Sequence, residues 1–444
     1  MRIIVITGLN SGSAEYRNLG DVAMLQVAVS RLLELWPDSS VAVLTDSPAD
    51  LARYCPGAEA LNRAGCACLG EDRTLFARLE ALLPKWAAAG LSALHRMLGN
   101  YTPRLLEWII RLKLSIRDRN GRGKEFRLFL DALKHCDLLI VSGAGGFADS
   151  CLEWNALTLD TIRSALLRNI PVVMLGQGMG PLTDPTVLSR AHRLFPKIKL
   201  IGLRGTRGGE ELLNSLEVPP ESIETTGDDT VDLAYAARND TPGNALGINL
   251  RVAFYAEVAD ESLNEIRSVL QRFSRERAVP LLPVPIAFHE WAGDHESIRK
   301  LLKGIDDRSD GGLSLDSPQK LIAQIGRCRV VVTGAYHAAV FALAQGIPAV
   351  CLSTSDYYAA KFEGLQDLFG GGCSILRIRE PRLQERLSIA IEDAWQSADN
   401  LREPLLAAAR SQIELSRGVC RRIKARCDRL KAPTLTQLRK NAAV

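Results

Sequence analysis

The chain has 444 residues, of which 47% are hydrophobic and 24% are charged, and its formal net charge is +4. This length predicts two or three domains, and the composition is that of a globular protein with ample apolar area for a core. It excludes a disordered, low-complexity chain, and no apolar run approaches the roughly 20 residues that a membrane span requires.

The positive charge is concentrated near the end of the sequence. Residues 401–444 contain eleven Lys and Arg against three Asp and Glu, so a basic helical segment there could touch nucleic acid or an anionic membrane surface. A solvated helix face explains the same charge more simply, and we expect no nucleic-acid partner. Peripheral membrane contact through the basic C-terminal helices stays open.

Ten cysteines occur without an even, regular spacing. Cys136, Cys328 and Cys351 lie in apolar segments, as small core residues do, whereas Cys66 and Cys68 are too close and too isolated for a zinc site. We therefore expect a cytoplasmic protein, with the inner face of the membrane as a further location, and neither a metal nor a cofactor.

The first elements form a βαβ pattern, which predicts a parallel sheet. Residues 3–6 are an apolar strand, residues 10–18 a long polar loop, Asp21 opens a helix, and residues 41–44 are the next strand. A loop of this length between a strand and a helix usually holds a ligand.

Helical spacing replaces this alternation over residues 71–135 and predicts a helical insertion that covers one side of the sheet or guards a cleft. Trp86, Trp108 and Ile109 are expected to pack against the sheet. A surface that faces a membrane or a partner is the alternative.

The alternation of strands and helices resumes after the insertion. Apolar strands are predicted at 138–142, 171–176, 199–204, 245–251, 279–285 and 330–332, and the polar segment 238–244 resembles a linker. We predict two doubly wound Rossmann-like domains that face a cleft. Their expected bounds are 1–237 and 245–375, followed by C-terminal helices over 376–444.

The unit from 330 to 350 is the most informative stretch. It has the pattern strand, glycine turn, helix and second strand, and it places His337 where the first strand ends and the helix begins. Ligands bind at this edge of open α/β sheets, and helix N-termini favour anions. His337 is therefore a candidate proton donor; a helix-capping or half-buried structural histidine is the alternative.

Glycine-rich turns follow three of the other predicted strands, at 143–146, 176–180 and 205. Glycine lets the backbone approach a ligand closely. None of these turns matches the dinucleotide-binding pattern or the P-loop, which argues against a nicotinamide cofactor.

Positive charge also gathers at strand ends. Arg204 ends one predicted strand and Arg251 another, and Lys361 lies shortly beyond a third. Together they would suit a small, multiply anionic substrate, although each could instead pair with a neighbouring carboxylate.

Acidic residues offer a second set of candidates. Asp228 and Asp229 could orient a hydroxyl or act as a base, and they could equally cap a turn. Asp21 poses the same alternatives at a helix start.

Several of these motifs follow one another in a distinctive order. They are Asn18-Leu19-Gly20-Asp21, GAGGFAD at 143–149, GQGMGPL at 176–182, Leu203-Arg204, the turn at 227–229, and the His337 unit with Lys361 downstream. With these motifs the chain resembles the polysaccharide pyruvyl transferase family over about residues 1–370. The sequences NLGD and GQGMGPL are the most specific parts of the resemblance.

The resemblance implies a two-domain GT-B-like fold and a transferase that moves a pyruvyl group from phosphoenolpyruvate. The acceptor would be hydroxyls of a sugar, polymeric or lipid-linked, and the product a ketal. A GT-B glycosyltransferase that uses a nucleotide sugar, or a non-catalytic sugar-binding relative, are the alternatives.

On this hypothesis His337 is the acid, and Asp228 and Asp229 are further catalytic candidates. The expected substrate-binding residues are Asn18, Gly20, Asp21, Gly145, Gly146, Asp149, Gln177, Gly178, Gly180, Arg204, Arg251 and Lys361. The family commonly has an arginine two residues before the histidine, where this chain has Ala335. Either Arg251 or Arg204 would then take over its role, or the donor or acceptor differs.

Overall fold

A computed structural model describes most of the chain, and all structural statements below concern that part. The described residues are 1–8, 17–70, 79–84, 86–88, 90–91, 94, 103–117, 121–205, 207–251, 260–289 and 293–431. Most of the predicted loop at 10–18 and much of the first half of the predicted insertion therefore lie outside the described residues.

An N-terminal sheet is built from apolar strands that follow one another along the chain. Its strands are β1 (Arg2–Ile6), β3 (Ser40–Thr45), β4 (Glu59–Asn62), β5 (Leu138–Val141), β6 (Val172–Gln177), β7 (Leu200–Leu203) and β8 (Ile223–Thr225). They are all parallel, in the order β4-β3-β1-β5-β6-β7-β8. Every residue of β5 and β6 is buried, as expected for central strands covered by helices on both faces.

The C-terminal half forms a second parallel sheet. Its strands are β9 (Ala245–Ile248), β10 (Leu281–Pro283), β12 (Cys328–Thr333), β13 (Ala349–Ser353) and β14 (Cys373–Arg377), in the order β10-β9-β12-β13-β14. A short antiparallel ladder, β2 (Arg17–Asn18) with β11 (Ala287–Phe288), links the two halves. We call the halves built on the two sheets the N-lobe and the C-lobe.

Helices flank both sheets. They are α1 (Leu19–Leu35), α2 (Pro48–Tyr54), α3 (Arg63–Ala67), α4 (Pro103–Arg117), α5 (Arg122–Lys134), α6 (Leu152–Leu166), α7 (Pro185–Leu194), α8 (Gly209–Ser215), α9 (Thr230–Ala236), α10 (Asp260–Arg277), α11 (Asp294–Leu302), α12 (Pro318–Ile325), α13 (Tyr336–Ala344), α14 (Asp356–Phe369) and α15 (Leu383–Lys431). None of them, within the described residues, is both long enough and apolar enough to cross a bilayer.

The two lobes share apolar packing and one long helix. Leu19 of α1 and Val231 of α9 belong to the same buried cluster as Phe341 of α13. The segment in which C-terminal helices were predicted forms one continuous helix, α15, over the described residues. On the C-lobe its Asp399 pairs with Arg329 at 2.7 Å, and Arg426 donates to the Lys199 carbonyl of the N-lobe at 2.9 Å.

The prediction for the tryptophans of the insertion was wrong. Trp86 is 81% exposed and Trp108 58% exposed, while Ile109 is half-buried. The face of α4 that packs on the protein body instead carries Ile110 and Leu114, which are 2% and 6% exposed. The helix therefore has two apolar stripes, and the tryptophan lies on the outer one.

Candidate active site

The carboxyl ends of strands from both sheets converge on one cleft. Asp21 lies in the first turn of α1, directly beyond the β1 loop, and Arg204 and Asp228 follow β7 and β8. From the C-lobe, His337 lies in the first turn of α13 and Lys361 in the second turn of α14. This is the edge at which open α/β sheets bind ligands.

A buried chain of charges joins the lobes. His337 Nε2 lies 3.6 Å from Asp228 Oδ2, and the same oxygen lies 3.5 Å from Arg204 Nη1. The other carboxylate oxygen, Oδ1, accepts from the Thr230 amide at 3.0 Å and the Thr230 hydroxyl at 2.6 Å. Asp228 is thus fixed at the start of α9, where it can orient the imidazole and the guanidinium together.

Aromatic rings hold the two cations in place. The Arg204 guanidinium stacks 4.5 Å from the centroid of the Tyr336 ring, and Lys361 Nζ lies 3.9 Å from that of Tyr357. Cation–π contacts of this kind stabilise a partly desolvated positive charge. Sequence reasoning missed both tyrosines, although Tyr336 adjoins His337 and Tyr357 lies one helical turn before Lys361.

Burial and charge shift the pKa values of this cluster. Burial alone would raise the pKa of Asp228, but the nearby imidazole of His337, the charge of Arg204 and the hydrogen bond from Thr230 hold it well below its usual range. Burial and the nearby Arg204 lower the pKa of Lys361 to about 7. Burial raises the pKa of Asp21, against the opposing charges of His337, Arg204 and Lys361. The site therefore contains one group with a strongly perturbed pKa near neutrality, the amine of Lys361.

Three of the predicted glycines make room for these side chains. A β-carbon on Gly20 would lie 1.9 Å from His337 Nδ1, and one on Gly178 would lie 2.7 Å from Arg204 Nε. At Gly145 it would lie 2.8 Å from Arg204 Nη2 and 3.3 Å from Lys361 Nζ. The two cations of opposite lobes thus meet at Gly145.

Gly20→Ala is expected to lower turnover about 100-fold, because the added carbon displaces the His337 ring from Asp228, and a shift of about 1 Å can cost that factor. Gly364→Ala is the matched control, since its β-carbon would meet nothing within 4 Å. Steady-state turnover and thermal unfolding of both variants check this. Equal activity in the two variants would contradict a functional role for the close packing at Gly20.

The two glycine-rich loops are joined by hydrogen bonds. The Gly178 amide donates to the Ala144 carbonyl at 2.9 Å and the Gly180 amide to the Phe147 carbonyl at 2.8 Å. Asp149 accepts from the amide and hydroxyl of Thr183, at 2.8 and 2.7 Å, and these bonds lower its pKa. These contacts give Gly180 and Asp149 a role in shaping the loops.

Two further predicted residues also have structural partners near the loops. Gln177 is buried, and its Nε2 donates to the carbonyls of Val141, Ser142 and Leu175 at 2.8–3.1 Å. A β-carbon on Gly146 would lie 2.5 Å from the Trp154 ring. Both residues hold the GAGGFAD and GQGMGPL loops against the protein body.

The remaining predicted residues lie beside the cluster. Asn18 caps α1, its Oδ1 accepting from the Gly20 amide at 2.9 Å. Asp229 is buried and accepts from Arg31 Nη1 at 2.7 Å and from the Ser416 hydroxyl at 2.8 Å. It ties α1 to α15, while its neighbour Asp228 faces His337.

Arg251 pairs with a buried carboxylate. Its Nη1 donates to Asp294 Oδ1 at 2.9 Å, and both side chains are buried. Of the two arginines considered as replacements for the missing one near Ala335, Arg204 stacks on Tyr336 at the start of the helix that carries His337. Among the described residues, no group of three or more His, Cys, Asp and Glu side chains could hold a metal ion.

Solved structures of other proteins share this fold. A candidate UDP-N-acetylglucosamine 2-epimerase from Listeria monocytogenes matches with a TM-score of 0.56 and 11% identity, over 97% of this chain and 98% of that one. MnaA of S. aureus in complex with UDP matches with a TM-score of 0.52 and 12% identity, over 96% and 97%. At such identities the likeness concerns the fold alone, and it confirms the predicted GT-B-like arrangement of two Rossmann-like domains.

Comparison of the sequence with known proteins gives two results. No curated protein matches the chain. The model of one family, polysaccharide pyruvyl transferase, matches residues 18–356. This range includes Asn18, Asp21, Arg204, Asp228 and His337, and Tyr357 and Lys361 lie just beyond it. The chain therefore belongs to the polysaccharide pyruvyl transferase family, and it is a transferase.

Proposed function

We propose that this protein transfers a pyruvyl group from phosphoenolpyruvate to two hydroxyls of a sugar in a polysaccharide or its precursor, forming a cyclic ketal. The observation that carries the proposal is the meeting of Arg204 and Lys361 at Gly145, beside the His337–Asp228 pair. The donor has a carboxylate and a phosphate, and this site offers a cation from each lobe.

The proximity of the two cations favours a dianionic ligand. Without an anion, the guanidinium disfavours the charged form of the neighbouring amine, which is one reason why the pKa of Lys361 is lowered. A bound phosphate or carboxylate between them would relieve this repulsion and be neutralised in turn. Helix N-terminal amides at α13 and α14 would add to the positive potential.

His337 is the proposed proton donor. It would transfer its proton to the methylene carbon C3 of phosphoenolpyruvate, which leaves an oxocarbenium-like centre at C2. Asp228, held by Arg204 and Thr230, would stabilise the charged imidazolium before the transfer and orient the ring. Gly20 limits the ring to this position.

The acceptor would then react in two steps. A first sugar hydroxyl attacks C2 and would give its proton to Asp21, whose half-buried carboxylate has a raised pKa. This proton would replace the one that His337 delivered to C3. The bond between C2 and the phosphate oxygen then breaks. A second hydroxyl attacks C2, its proton leaves with the phosphate, and the products are one ketal and one inorganic phosphate.

Phosphate release from phosphoenolpyruvate, measured against a panel of sugar nucleotides and lipid-linked sugars, tests the proposal. The expected product is an acceptor whose mass has increased by that of pyruvic acid less one water. Turnover of a UDP-sugar in the absence of phosphoenolpyruvate would instead favour a glycosyltransferase. Absence of both reactions, with no thermal stabilisation by either donor, would leave a non-catalytic sugar-binding protein.

The kcat/KM for the donor is expected to fall as pH rises through about 7, because Lys361 then loses its proton in the free enzyme. Lys361→Arg keeps a positive charge at every pH and should lose this decline. Lys361→Met should have a low kcat/KM for the donor at every pH. The donor's own ionisation is the same in all three proteins. An unchanged decline in Lys361→Arg would assign the titration to another group.

A further inference from the structure

Exposed apolar side chains concentrate in one part of the described chain. Of the fifteen large hydrophobic residues that are exposed, eight lie between residues 79 and 112. They are Leu79, Leu82, Leu83, Trp86, Leu94, Leu105, Trp108 and Leu112. Exposed apolar side chains that cluster in this way are a feature of interaction sites.

Helix α4 shows that this exposure is not an unpacked core face. Its inner face is seated on the protein body through the buried Ile110 and Leu114. Glu107, on the same face, accepts a hydrogen bond at 2.6 Å from Arg168, which lies just after α6. The orientation of the helix is therefore fixed by contacts already made.

The outer face of α4 carries what we call the α4 stripe, formed by Leu105, Trp108 and Leu112. These side chains are 43%, 58% and 46% exposed, and their spacing of three and four residues places them on one side of the helix. At about 100° per residue, Arg111 and Lys113 fall on opposite borders of the stripe. An apolar stripe with a tryptophan, bordered by basic residues, is the pattern of a helix that lies in a membrane interface.

The charge of the surrounding sequence distinguishes between two possible binding partners of the stripe, a second copy of the chain and an anionic lipid surface. Residues 79–127 contain ten Lys and Arg against four Asp and Glu. Packing this face against a second copy of itself would bring like charges together, whereas an anionic lipid surface would attract them. Lys and Arg side chains can also extend their charged ends to the headgroups while their stems cover apolar surface.

We propose that the α4 stripe binds the interfacial region of an anionic lipid bilayer, with Trp108 inserted at headgroup level. Trp86, which is 81% exposed, and Leu82, which is 82% exposed, supply a second apolar contact close in sequence. This proposal does not depend on the identity of the donor, since it concerns a surface of the insertion and none of the residues of the cleft.

Flotation of the full-length protein with vesicles tests the proposal. The wild type is expected to bind vesicles of phosphatidylcholine with phosphatidylglycerol and to bind pure phosphatidylcholine much more weakly. Trp108→Ser combined with Leu112→Ser should weaken binding roughly tenfold or more, and Arg111→Gln roughly fivefold. The matched control is Ile389→Ser with Leu415→Ser, which removes side chains of similar exposure from α15 and should leave binding unchanged.

Three results would overturn the proposal. The first is vesicle binding by the stripe variant equal to that of the wild type. The second is binding that survives in the stripe variant but is lost in Arg439→Gln with Lys440→Gln, which would assign the contact to the C-terminal segment. The third is a wild-type dimer in solution that the stripe variant dissociates, which would assign the stripe to contact between copies. Circular dichroism and thermal unfolding establish that each variant is folded.

Discussion

His337→Gln is expected to lower turnover by about 100- to 10,000-fold, the usual contribution of one acid or base, while thermal unfolding stays close to that of the wild type. Glutamine keeps a polar group beside Asp228 Oδ2, from which His337 Nε2 lies 3.6 Å, but it cannot deliver a proton. Phosphate release at saturating donor and acceptor measures the effect. Turnover like that of the wild type would remove His337 from the proposed role.

Asp228→Asn provides the companion test. If Asp228 acts through His337, its removal should lower kcat, and the double variant should be little worse than His337→Gln alone, because residues that act as a unit are not additive. Additive losses would mean that the two side chains act independently.

Arg204→Met is expected to lower kcat/KM for phosphoenolpyruvate by about 100- to 1,000-fold, a loss typical of removing one electrostatic contact in a catalytic site. The guanidinium lies beside Gly145 and Gly178, stacked on Tyr336, where the proposed donor would bind. Arg204→Lys should recover part of the loss, since it keeps the charge but not the planar fork.

Arg251→Met is the matched comparison. It removes a buried arginine whose partner is Asp294 at 2.9 Å, so it should lower the unfolding temperature while kcat/KM of the folded protein stays near that of the wild type. The reverse pattern, with donor binding lost in Arg251→Met and retained in Arg204→Met, would show that Arg251 binds the donor.

The fold could be predicted because local signals agreed with one another. Around His337, an apolar β-branched run, a glycine turn and an Ala-rich helix follow in order, and they form β12, α13 and β13. Such runs are typical of strands buried on both faces. The order in which β1, β5 and β6 meet in the sheet is a tertiary property and became visible only in the structure.

The candidate site could be predicted residue by residue but not as an arrangement. His337 and Arg204 were identified by their places at strand ends, yet both lie beside Asp228 only because strands of different sheets face a common cleft. Asp228 and Asp229 were indistinguishable in sequence. The turn before α9 directs the first toward His337 and the second toward Arg31.

The exposed tryptophans illustrate a limit of periodicity. In α4 both the inner residues, such as Ile110, and the outer ones, such as Trp108, recur at helical spacing. Pattern alone does not reveal which stripe meets the protein body. That choice depends on long-range contacts, here the bond from Arg168 to Glu107.

The division of the charge cluster between two sheets has a consequence for engineering. Asp228 and Arg204 come from one half of the chain and His337 and Lys361 from the other, so neither half alone carries a complete set. Chimeras that exchange halves between relatives must preserve the close packing of Gly20 in the N-lobe against the His337 ring of the C-lobe. A single methyl group added at Gly20 would displace the His337 ring from Asp228.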